Sequence, residues 1–241
     1  MMKVSRSIVP SFFTVGNMFC GFYSIISAFN GKITLAAWLI LAGAFLDTMD
    51  GKVARFTKSS SRFGVEYDSF ADIITFGLAP SFLIYTVYMT DMKFVGILLS
   101  FLPLLFGSIR LARFNIQLKS FDKDYFSGLP IPVAALTLSS FIIFSEYLYG
   151  NAAKFPKIII ILLFIVSVLM VSTIRYETMP TLNFKGSLRD KIKLIIVIIG
   201  ATLLIIFPQI LLFPFMVAII LTGPVNWIFR LFSDNLAEKE V

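Results

Sequence analysis

Runs of about 20 apolar residues, each closed by a short polar, Pro or Gly segment, recur along the 241-residue chain. A run of that length lets a helix cross the hydrocarbon core of a bilayer. In that solvent the backbone N–H and C=O groups must be satisfied internally, which restricts a spanning segment to a helix or a strand of a closed barrel. Marked off by their punctuation, the segments fall at about 10–29, 33–56, 66–89, 93–117, 130–149, 156–175, 190–207 and 209–231. They predict an all-α, polytopic membrane helix bundle of about eight transmembrane helices. The last two are joined by little more than Phe207-Pro208-Gln209, which predicts a tight hairpin.

Composition supports this class, with 58% hydrophobic residues, 15% charged residues and a mean hydropathy of +0.89. Lys3 and Arg6 precede the first apolar run as in a signal peptide, but no small-residue cleavage site follows, so a retained span is expected. The basic residues are segregated. Of 21 Lys and Arg, only Lys32, Lys93, Lys154 and Lys157 fall on one side of the implied topology. By the positive-inside rule both termini and the loops holding 57–65, 118–129 and 176–189 are expected in the cytoplasm. Charge placed this way reads as orientation and headgroup contact, and no nucleic acid partner is expected despite the net charge of +7. The tail from Ser233 to Val241 reads as short, polar and frayed.

The chain has no His, which leaves acid–base chemistry to carboxylates, Lys, Tyr or the single cysteine. Cys20 lies inside the first apolar run and reads as lipid-facing or packing filler. The acids are placed more pointedly. Asp47, Asp50, Asp68 and Asp72 occupy the junction of the second and third spans, where ionisable groups are costly. Asp47, Asp50, Gly51 and Ala54 follow an i, i+3, i+4, i+7 pattern, and Gly64, Asp68 and Asp72 follow i, i+4, i+8, so each set shares a helix face. A short basic loop makes the two helices antiparallel neighbours, and the carboxylates then converge near the cytoplasmic interface. Clustered carboxylates call for a cation, and hard oxygen ligands favour Mg²⁺, Mn²⁺ or Ca²⁺. This number of acids suits two ions, an arrangement fitted to phosphoryl displacement. Gly51 and Ala54 leave room for a bulky ligand, and Arg55 offers forked donors to a diphosphate. A divalent-cation pathway is the rival from another class, although the polar residues crowd at one end and form no track across the membrane.

The run Asp47-Thr48-Met49-Asp50-Gly51-Lys52-Val53-Ala54-Arg55, followed by Gly64, Asp68 and Asp72, resembles the signature of the CDP-alcohol phosphatidyltransferases at every fixed position. The resemblance implies an integral-membrane enzyme that moves a phosphatidyl group from a CDP-linked lipid to an alcohol and releases CMP. It implies that Asp47, Asp50 and Asp68 bind divalent metal, with Asp47 and Asp50 also near the nucleotide. It makes Asp72 the general base and a further metal contact. Gly51, Ala54 and Arg55 would line the nucleotide site, and Gly64 would permit close helix packing or nucleotide approach. Asp72 lies furthest along its helix from the cytoplasmic end, which suits a base held away from bulk water. A homodimer in the cell (inner) membrane, its active site facing the cytoplasm, follows from the same resemblance and topology.

The signature does not name the alcohol. Four further segments resemble those of the serine-accepting bacterial and archaeal members: Pro10 to Gly21 with Asn17, Phe70 to Pro80, Ile109 to Asn115, and Phe126 to Pro132. They imply CDP-diacylglycerol and L-serine as substrates, with phosphatidylserine and CMP as products. Arg110 and Arg113, three apart near the cytoplasmic end of the fourth span, are placed to hold a serine carboxylate or a lipid phosphate, with snorkelling as their ordinary alternative. Asn115 is a polar partner there or a helix-end cap. Gly128-Leu129-Pro130 reads as a substrate contact or a plain helix-start turn, and Arg175 and Tyr176 as weaker candidates. Glycerol 3-phosphate or inositol phosphate remain alternative acceptors that would favour a denser basic pocket. We expect residues 1–189 to form the transferase core of six spans and 190–241 a C-terminal hairpin with a short tail.

Overall fold

The computed structural model describes residues 11–57, 62–118, 126–176, 200 and 202–237. In chain order these form α1 (Phe12–Phe29), α2 (Ile33–Thr57), α3 (Arg62–Asp72), a π-helical stretch (Ile73–Leu78), α4 (Ala79–Ile84), a second π-helical stretch (Tyr85–Met89), a 3-10 turn (Thr90–Met92), α5 (Lys93–Ser100), α6 (Leu102–Leu118), α7 (Ile131–Tyr149), α8 (Pro156–Val171) and α9 (Pro208–Ala237). Among the described residues, five stretches are long and apolar enough to cross a membrane: Phe12–Phe29, Ile33–Val53, Phe63–Ile116, Ile131–Tyr149 and Pro208–Phe229, with Pro156–Val171 a shorter apolar helix. The chain is a multi-pass membrane helix bundle.

Local chemistry sets the helix ends. Ser11 caps α1 by accepting from the Thr14 N–H at 3.1 Å. Pro132 sits in the first turn of α7 and Pro156 opens α8, where a missing N–H costs nothing. Gly150 ends α7 in the left-handed conformation with its N–H on Glu146 O. The 54-residue stretch Phe63–Ile116 folds in two at Thr90–Lys93, so that α6 returns along the first π-helical stretch. Lys93 at φ 51 marks that bend.

The core runs through α7, whose Leu138, Phe141 and Ile142 are buried together with Ile40 of α2 and Leu163 of α8. Its hydroxyls stay with nearby backbone: Thr137 donates to Val133 O and Ser140 to Thr137 O. Outward, Phe19, Phe94 and Phe164 are exposed, as side chains facing lipid are. The turns at 30–32, 90–93 and 150–155 share one end of the bundle, where Tyr88 donates to Ala152 O and Ser24 to Ala36 O. The aspartates lie at the other end.

At that other end a feature absent from the helix pattern joins three elements. Strand β1 (Phe126–Ser127) pairs antiparallel with β2 (Arg175–Tyr176). Gly128, at φ +83, turns the chain from β1 toward α7, and a Cβ there would lie 2.3 Å from Met170 O. Its N–H bonds Ile174 O, and the Leu129 N–H bonds Leu169 O. Gly128 therefore makes a joint between chain segments. Tyr176 then reaches α9. Pro224 has no N–H to give Ile220 O four residues back, and the Tyr176 hydroxyl donates to that oxygen at 3.1 Å instead. Burial pushes the Tyr176 phenol up to about 12, so it stays a donor at neutral pH.

Several boundaries differ from the sequence expectation. α2 ends at Thr57 as expected to within a residue, but α3 begins at Arg62, because the helix starts in polar residues ahead of its apolar stretch. α9 continues through Ser233 to Ala237, so the described part of the tail is helical and not frayed. Of the seventh span, 200 and 202–206 are helical, 207 is a bend, and 190–199 and 201 lie outside the described residues, as do 1–10, 58–61, 119–125, 177–189 and 238–241.

Candidate active site

The backbones of α1, α2 and the π-helical stretch that follows α3 meet closely. A Cβ on Gly21 would lie 2.6 Å from Thr75 Oγ1, and one on Gly43 2.5 Å from Thr75 Cγ2. Small residues of this kind let membrane helices approach and gain dispersion contact. The seam is closed by Thr75 Oγ1 donating to the Asn17 carbonyl at 2.8 Å. Cys20 packs half-buried beside Gly43 as a free thiol.

Just beyond the seam, Asp47 from α2 and Asp68 and Asp72 from α3 converge, each offering an oxygen within 4.8 Å of the others. Asp72 is buried, and Asp47 and Asp68 are half-buried. Asp68 Oδ1 has no hydrogen-bond partner. Asp72 Oδ1 accepts from Asn17 Nδ2 at 3.3 Å.

Asp50, three residues after Asp47, is held differently. Its two carboxylate oxygens accept from the Ser11 and Thr14 hydroxyls of α1, which lie 2.9 Å apart. The structure thus groups three of the four aspartates and sets the fourth against α1. The charge pattern does not point to Ser11, Thr14 or Asn17, although all three lie in the Pro10 to Gly21 segment, where Asn17 is named by resemblance. A further signal is their spacing with Gly21 and Ser24 along one buried face of an otherwise apolar span.

The α6 residues also separate. Arg110 is buried, attracts Asp72 electrostatically, and leaves Nε without a partner. Arg113 is exposed and donates from Nη1 to Val171 O at 2.9 Å, at the C-terminal end of α8. Asn115 donates to Ser69 Oγ at 3.0 Å and to Glu66 Oε2 at 3.4 Å, tying α6 to α3. Gly51, Ala54 and Arg55 lie on the last turns of α2, and Gly64 on the first turn of α3. The side chains of Ala54 and Arg55 fall outside the described residues.

Three convergent carboxylates, one with an unpartnered buried oxygen, are hard ligands that fit a divalent cation such as Mg²⁺, Mn²⁺ or Ca²⁺. Arg110 beside them adds a fork of donors suited to an anion.

Comparison with known proteins agrees with this chemistry. Residues 7–168 match the family model of the CDP-alcohol phosphatidyltransferases. The chain is 38% identical over 226 residues to the CDP-diacylglycerol–serine O-phosphatidyltransferase of Helicobacter pylori, covering 92% of each chain. It is 39% identical over 170 residues to the archaetidylserine synthase of Methanothermobacter thermautotrophicus, covering 70% of this chain and 69% of that one. A Bacillus subtilis CDP-diacylglycerol–serine O-phosphatidyltransferase is 41% identical over 130 residues, or 54% of this chain and 72% of its own. The chain belongs to the CDP-alcohol phosphatidyltransferase family.

Proposed function

We propose that the protein transfers the phosphatidyl group of CDP-diacylglycerol to L-serine, giving phosphatidylserine and CMP. The observation that carries the reading is the Asp47–Asp68–Asp72 cluster with a buried guanidinium, Arg110, beside it. In this reading Asp72 takes the proton of the serine hydroxyl as its oxygen bonds to phosphorus and the phosphorus–oxygen bond to CMP breaks. Asp47, Asp50 and Asp68, with Asp72, hold divalent ions, which when bound neutralise the diphosphate and the charge developing on CMP. Two ions, Mg²⁺ or Mn²⁺ in preference to Ca²⁺, suit this number of carboxylates. Gly51, Ala54, Arg55 and Gly64 line the nucleotide side.

Arg110 holds the acceptor's carboxylate. Among the described residues it is the one basic side chain in the buried set. A single guanidinium matches one carboxylate bidentately, whereas a phosphate-bearing acceptor calls for more positive charge. Arg113 and Asn115 support α6 through α8 and α3. In the same reading the protein has eight spans, with both termini and the active site on the cytoplasmic side of the inner membrane, a core of 1–189 with a C-terminal hairpin of 190–241, and works as a homodimer.

The test is CMP release by the purified protein from CDP-diacylglycerol, Mn²⁺ or Mg²⁺ and serine. Release that needs serine supports the reading. No release with any alcohol, together with metal-dependent flux in vesicles, would replace it with a transporter.

A further inference from the structure

Asn17 is fully buried in an apolar helix, and an amide in that setting is costly unless it makes a bond an apolar side chain cannot. Its backbone carbonyl is what closes the seam with Thr75, a contact any residue at this position could make. Its side-chain oxygen has no partner. Among the described residues, its side chain makes one bond, from Nδ2 to Asp72 Oδ1 at 3.3 Å. Asn17 is therefore poorly explained by packing and well explained by Asp72. A neutral donor fixes a carboxylate's rotamer without adding a counter-charge. The backbone approach fixes the donor in turn, since Gly21 and Gly43 let α1 and α2 lie directly against the π-helical stretch that begins one residue after Asp72, an approach that an isosteric Val at position 75 would keep.

We infer that Asn17 is the positioning residue for Asp72: its amide holds the carboxylate in the orientation from which it accepts the acceptor's hydroxyl proton. The inference rests on the reading of Asp72 as the general base.

The test uses the full-length protein with Asn17→Ala, Asn17→Ser as the milder variant, and Thr75→Val as a seam control that does not touch Asp72. Turnover is measured with whichever alcohol the wild type consumes, so a wrong acceptor reassigns the substrate without touching Asn17. CDP binding with Mn²⁺ is measured separately by calorimetry. Both Asn17 variants should lose about 100-fold in kcat, the scale of a misplaced catalytic group, while CDP affinity stays within about threefold. Thr75→Val should keep kcat within about threefold. In an Asp72→Asn background the Asn17→Ser loss should vanish, because the two act as one unit.

Wild-type kcat in Asn17→Ser, CDP affinity falling in step with kcat, an equal loss in Thr75→Val, or additive losses with Asp72→Asn would each overturn the inference. Full turnover in Asp72→Asn alone would sink the reading of Asp72 itself, and this inference with it.

Discussion

Two corners at the same end of the bundle are rich in polar groups, and they treat them in opposite ways. Around the β1–β2 pair, at the ends of α6 and α8 and beside α9, polar groups meet partners that finish them. Arg113 donates to Val171 O, Tyr176 to Ile220 O, and the Gly128 N–H to Ile174 O. Where α1, α2 and α3 meet, bonds are made and valences are left over. Asp68 Oδ1, Asn17 Oδ1 and, nearby, Arg110 Nε are buried without partners. Closed valences make a joint. Open ones are expensive in a membrane interior and persist where a ligand completes them. Arg110 and Arg113, three residues apart on one helix, fall on opposite sides of this division.

Substitutions can break that comparison, and the largest effect belongs to the open corner. Asp72→Asn should lower kcat for CMP release by about 10³, within the range for losing a general base, while CDP binding by calorimetry changes little. Lost CDP binding in this variant would move Asp72 from base to nucleotide ligand. Next, Arg110→Ala should raise the KM for serine by about 10- to 100-fold, the scale of a charge-assisted bidentate pair, with less effect on the KM for CDP-diacylglycerol. An equal rise in Arg113→Ala would erase the division drawn on α6.

A smaller effect is expected where α1 clamps Asp50. Ser11→Ala with Thr14→Val should weaken Mn²⁺-dependent CDP binding by about 10-fold, the cost of one or two lost hydrogen bonds to a charged group. Unchanged binding would make the clamp structural. The smallest change belongs to the closed corner. Tyr176→Phe should destabilise the protein by about 1 kcal/mol, seen as a lower unfolding midpoint in detergent, and leave KM and kcat unchanged. Altered serine kinetics there would bring the strand pair into the active site.

The acid corner was the more legible of the two from sequence. The i, i+3 and i, i+4 spacings of the aspartates depend only on helical geometry, and a short loop makes their helices neighbours, so convergence of Asp47, Asp68 and Asp72 follows. The direction of Asp50 does not follow, because Ser11 and Thr14 belong to a helix whose approach depends on Gly21 and Gly43 meeting Thr75. The π-helical stretches are hidden for the same reason, since tertiary contact sets them and no hydrophobic period announces them.

The closed corner was barely legible. Two-residue strands carry no alternation to read, and Pro224 inside α9 looks like a helix breaker until Tyr176 is seen donating to the carbonyl it strands. Helix ends differ from the sequence expectation where polar residues prolong a helix beyond its apolar stretch, at Arg62 and Ala237, while α2 ends within one residue of it. Apolar length measures the membrane and not the helix.

The central claim is that the open corner completes a CDP-diacylglycerol and serine reaction. It is tested most directly by offering the purified protein CDP-diacylglycerol, Mn²⁺ and a panel of radiolabelled alcohols. The expected result is phosphatidylserine and CMP in equal amounts, with serine outcompeting glycerol 3-phosphate and inositol phosphate. Glycerol 3-phosphate winning that competition, or no CMP with any acceptor, would contradict it.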